Sequence, residues 1–158
     1  MDRKGRGVMI WYQRCVLGLA LLSLVACDNA ATGPSDPAAL ARLDGTLFIS
    51  QPQLPDAQME ALFQGAVLRD DAGCLRLQPP SHATVVWPYG SHLVEKEGEH
   101  WVQAASGQTM GLVGGIFRFG GGVVPALNEG MGFTAAQIRT AHSRCPGRFW
   151  LVGEVLTP

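Results

Sequence analysis

A chain of 158 residues with a formal charge of −1 has room for one domain and lacks the basic excess that marks a nucleic-acid binder. Its hydrophobic share of 47% and mean hydropathy of +0.12 are high for a domain in water, but much of the excess sits in residues 15–26. After Cys27 the chain holds 8 basic and 12 acidic side chains, a balance of −4, so a polybasic patch for anionic lipid is excluded as well.

The first segment has the layout of an export signal. Arg3, Lys4, Arg6 and Arg14, opposed only by Asp2, make residues 1–14 a positive n-region. Residues 15–26 form an apolar h-region of 12 residues. As a helix it would be about 18 Å long against about 30 Å of hydrocarbon, too short to span. Extending it back to Val8 would bury Arg14, at about 2.5–3.5 kcal/mol near the centre of the bilayer. A signal peptide over residues 1–26 is therefore expected.

The apolar run ends in Leu24-Val25-Ala26-Cys27: an aliphatic residue, a permissive position, a small residue, then cysteine. This resembles the lipobox of bacterial lipoprotein precursors. The resemblance implies cleavage before Cys27 and lipidation of Cys27 through a diacylglycerol thioether. It also implies a lipid-anchored location at the cell membrane, facing the periplasm or the exterior. Each buried methylene of the acyl chains contributes about 0.8 kcal/mol, so two or more chains anchor stably. Asp28, next in line, resembles the signal that keeps some Gram-negative lipoproteins in the inner membrane. Residues 27–43 are mostly Ala, Asn, Ser, Pro, Asp and Gly and read as a disordered tether, with a helix over residues 37–43 as an alternative.

Four cysteines occur. Cleavage removes Cys15, and acylation consumes the thiol of Cys27. Cys74 and Cys145 are left in an oxidising compartment, where a disulfide between them is expected. No Cys-x-x-Cys pair or histidine cluster supports a metal site in their place.

The domain is expected over residues 44–158. Residues 45–50 make a short strand. Residues 51–64 are ambiguous, with Pro55 and Asp56 able to open a short helix carrying Met59, Leu62 and Phe63. Residues 66–69 and 74–78 flank Asp70-Asp71-Ala72-Gly73 as a hairpin. Residues 84–87 form a strand ending at Pro88-Tyr89-Gly90. Residues 92–95 and 99–103 flank a Glu97-Gly98 turn. Residues 112–119 place Phe117 and Phe119 on one face and Arg118 on the other, and Gly120-Gly121-Gly122 suggests a bulge or sharp bend. Thr134 with Gln137 spells a capping box, Phe133 and Ile138 a hydrophobic staple, and Pro146-Gly147 a stop. Residues 149–152 form the last core strand. Many short strands and one short helix near the C-terminus predict an all-β domain: a small, bent β-barrel or sandwich, with an OB-like barrel as the nearest superfold.

No catalytic set stands out. Ser81-His82 and Ser91-His92 are neighbours that on a strand would point to opposite faces, so they make no nucleophile–base unit. The four histidines, His82, His92, His100 and His142, are expected at the surface in loops. The run Glu95-Lys96-Glu97-Gly98-Glu99-His100 matches no calcium-loop spacing and reads as a solvated hairpin tip. The glycine clusters lack the lysine and following Ser/Thr of a phosphate cradle. The aromatic residues serve mainly the core, with Tyr89, Trp87 and Trp101 as the candidate binding surface and Tyr89 the most exposed. The expected function is a membrane-tethered, non-catalytic binding module for an envelope protein, peptide or glycan, with no cofactor, metal or nucleic acid. The alternatives are an envelope hydrolase with a His/carboxylate site and a structural envelope component.

Overall fold

Leu40–Leu43 (β1), Thr46–Ser50 (β2), Ala61–Arg69 (β3), Leu75–Leu77 (β4) and Thr84–Trp87 (β5) lead into a hairpin sheet of His92–Lys96 (β6), Glu99–Gln103 (β7) and Thr109–Leu112 (β8). Ile116–Val124 (β9), a helix Ala135–Arg144 (α1) and Phe149–Val155 (β10) complete the order. The computed structural model describes residues 39–56 and 59–156. The export segment, the lipobox and Cys27 lie outside the described residues.

Five strands close a barrel in the order β5-β10-β9-β3-β4 and back to β5. The β5–β10 pair is parallel and the others are antiparallel. This makes the barrel's third and fifth strands parallel neighbours, an OB-like connectivity, with the helix placed just before the final strand. β2 pairs with β5 in parallel through Ile49–Val86 and Ser50–Trp87, and β1 pairs with β2. All five residues of β2 are buried, which is why Leu47, Phe48 and Ile49 are consecutive apolar residues rather than alternating with polar ones.

Two cores result. Phe48, Trp87, Phe117, Phe119 and Trp150 fill the barrel interior. The Trp87 ring lies 5.3 Å from Phe117 and 5.8 Å from Phe48, centroid to centroid, within the range where aromatic pairs attract beyond their burial. The second core lies outside the barrel, where Leu47, Ile49, Val86 and Phe149 meet α1 through Ala141 and Cys145. The capping box of α1 forms: Gln137 N donates to Thr134 Oγ1, and Thr134 N donates to Gln137 Oε1. Phe133 and Ile138 both join the second core, as a staple requires. The expected disulfide joins Cys74 to Cys145 with Cα atoms 5.7 Å apart, and it pins the end of α1 to the start of β4.

Four expectations change. Residues 40–43 are a strand paired with β2, neither tether nor helix, because Leu40 and Ala41 gain apolar cover against the two cores. No helix forms among the described residues of 51–60. β3 starts at Ala61 and turns Phe63 inward to stack on Phe119 at 5.2 Å, leaving Leu62 exposed. The run 112–119 is split by a turn between β8 and β9. The glycine cluster does not break its strand: β9 passes through it, and the irregularity falls on β10 between Val152 and Val155. Gly121 permits this, because a Cβ there would collide with the carbonyl oxygen of Leu151 and press on the Trp150 indole.

Candidate functional site

β2, β5 and β10 run in the same direction, so their C-terminal ends lie together at one end of the barrel. There the β6–β7–β8 sheet packs on the barrel interior. Register puts Leu93, Val102 and Gly111 on one face of this sheet. Val102 is fully buried and Leu93 packs beside it. Gly111 sits against the Phe117 ring so closely that a Cβ would come within 2.5 Å of it. Val94, Trp101 and Leu112 share the opposite, outward face and are half-buried.

A groove of about 420 Å³ opens where this sheet meets the barrel end. Pro88 and Tyr89 form one wall, following directly from β5. Ala105, Gln108 and Met110 of the β7–β8 hairpin form another, and residues 153–155 at the end of β10 form the floor. Met110 is the extra residue of a bulge, since Val102 pairs with Gly111 and Gln103 with Thr109. The bulge re-aims Met110 into the groove, where its sulfur lies 3.8 Å from Ser91 Oγ. Glu154 lines the groove and no lysine or arginine does.

The three residues of the candidate surface separate. Tyr89 lines the groove and is half-buried. Trp101 lies on the outward face of the second sheet, in a shallow depression with Lys96, Glu99 and Thr109. Thr109 borders both the groove and this depression. Trp87 is corrected to a core residue: it is 0% exposed and wedged among Phe48, Phe117 and Phe119. Its place beside the Pro-Tyr-Gly turn suggested a surface, but its side chain follows the inward alternation of β5. The groove's floor and hairpin wall carried no sequence signal. The bulge at Met110 could not be read locally, because it depends on pairing with β7.

The histidines are dispersed. His82 lies exposed just after a turn, His92 starts β6, His100 is in β7 with Nε2 buried and unpartnered, and His142 meets the edge of Phe149 at 5.0 Å. Among the described residues no three His, Cys, Asp or Glu side chains come together to hold a metal ion. The Glu97-Gly98 tip is a tight turn with φ of 56° and 80°. Asp70 belongs to a structural network. Its carboxylate accepts from Cys74 N and from Arg76 Nε, and Arg76 Nη1 donates onward to Thr84 Oγ1 and the Pro146 carbonyl. Burial raises the Asp70 pKa, but the Arg76 hydrogen bond and charge and the Cys74 and Ala72 amides outweigh it, so the carboxyl ends below its ordinary value. Compared with protein-family models, with curated proteins and with solved structures, the chain matches none.

Proposed function

We propose that the chain is a lipid-anchored envelope lipoprotein whose barrel is a non-catalytic binding module for a protein, peptide or glycan. The groove at Tyr89 carries this reading. It is concave, walled largely by apolar side chains, with a few hydroxyl and amide groups and one carboxylate, which is the composition of a recognition site. The lipobox residues Leu24-Val25-Ala26-Cys27 support the address, and a buried disulfide suits an oxidising compartment.

Two measurements test the two halves. Metabolic labelling with a fatty acid should mark the wild type and leave Cys27→Ala unmarked, with the variant released from the membrane fraction. An unlabelled wild type refutes the anchor. For the groove, affinity capture from solubilised envelopes and a glycan array should be run with the full chain and with Tyr89→Ala. A partner or glycan retained by the wild type should be retained roughly tenfold less by the variant, as for truncation of an aromatic anchor. Retention unchanged by Tyr89→Ala refutes the groove as the binding site.

A further inference from the structure

Resting on that reading of the groove, we infer that its ligand is an extended peptide segment bearing a basic side chain, added as a strand along the end of β10. Two features of the backbone favour a peptide over a glycan. β10 pairs with β5 only through residues 149–151, because β5 ends at Trp87. Gln51 marks the end of that seam: its side-chain Nε2 donates to the Val152 carbonyl at 2.6 Å, standing where the next strand residue would be. Residues 153–155 therefore continue as strand with no strand neighbour on the β5 side, and they form the groove floor. Across the groove, Thr109 and Met110 belong to β8, which is paired on its β7 side alone within the three-stranded sheet. Unpaired strand edges offer alternating N–H and C=O groups, the pattern that an extended peptide matches and a sugar ring does not.

The charge selects the sign of the ligand. Glu154 is exposed in the groove, and the adjoining β6–β7 hairpin carries Glu95, Glu97 and Glu99 against Lys96 alone. A carboxylate on the floor with no cation in the lining disfavours an acidic ligand and draws a lysine or arginine. Tyr89, Pro88 and Met110 then supply apolar contact for a neighbouring side chain, since successive residues of an extended segment alternate faces.

The test is selection of a displayed library of random decapeptides on the full chain in detergent micelles, followed by binding measurements on the selected sequence. The selected peptides should be enriched in lysine or arginine. Glu154→Gln should weaken them roughly fivefold and flatten their salt dependence. Methylation of single peptide amides should weaken binding roughly tenfold at alternate positions, the loss expected for one backbone hydrogen bond. Acidic consensus peptides overturn the basic ligand, and peptides tolerant of methylation at every amide overturn strand addition, while Tyr89 dependence keeps the groove reading. Selected peptides indifferent to Tyr89→Ala overturn both. A library that yields no binder, beside a glycan held in a Tyr89-dependent way, overturns the peptide and leaves the groove as a glycan site.

Discussion

Trp87 and Asp70 show how single side chains decide this domain. Trp87 brings three other rings into contact around it, so the residue beside the groove turn holds the barrel interior rather than a ligand. Asp70 and Arg76 fasten the β3–β4 turn to the start of β5 and to the segment after α1. The depressed Asp70 pKa sets the sign of a pH effect. Its folded value lies below that of the unfolded chain, so its contribution to stability is complete above the ordinary carboxylate range and is lost as pH falls through the depressed value. Asp70→Asn should therefore lower the urea midpoint at pH 7, and the gap from wild type should narrow progressively as pH falls below the ordinary carboxylate range. A gap that persists undiminished in acid would show that the network's contribution does not come from the ionised carboxylate.

Among the elements, α1 was the most legible in sequence, because its signals are local: a cap, a staple and a stop within a few residues of one another. The two hairpins were legible for the same reason. β3 was not. Met59, Leu62 and Phe63 have helical spacing, and the strand is preferred because β9 offers six paired positions along Ala61 to Ala66. The β6–β7–β8 sheet owes its seat to one missing side chain, that of Gly111 against Phe117. Phe117 is buried and hemmed in by Trp87, so it has little room to yield. Gly111→Ala should destabilise the fold by about 1–3 kcal/mol, the usual cost of overpacking, read as a lower thermal or urea midpoint. It should also disturb the groove, whose hairpin wall moves with this sheet. A neutral Gly111→Ala would mean that the sheet can lift from the barrel end without cost.

At the scale of the whole molecule, the Cys74–Cys145 bridge closes a loop spanning 71 positions and joins the first hairpin of the barrel to its helix. Both cysteines are fully buried in the outer core, which the bridge holds together from within. In the chain-entropy model a loop of this length stabilises by about 4 kcal/mol. A Cys74→Ser, Cys145→Ser double variant should lose up to that amount in chemical denaturation, and reduction of the unfolded wild type should produce a matching loss. Mass spectrometry after alkylation should find two more modified thiols in the reduced chain than in the oxidised one. A double variant as stable as wild type would place the bridge's role outside folding. The groove lies toward the other end of the barrel from this bridge, beyond the C-terminal ends of β2, β5 and β10, so Tyr89→Ala and the double variant should act independently.

The amino-acid order alone determined the all-β class, the capped helix, the hairpin turns and the cysteine pairing. Each of these depends on residue type and short-range spacing, or, for the pairing, on Cys74 and Cys145 being the two cysteines within the predicted domain. Only the tertiary structure decided that β2 lies beside β5 with its side chains in both cores, that Trp87 is core, and that Tyr89 borders a groove floored by the free end of β10. Those outcomes depend on which strands pair across the barrel, and a strand's pattern reports which faces are buried without saying against what.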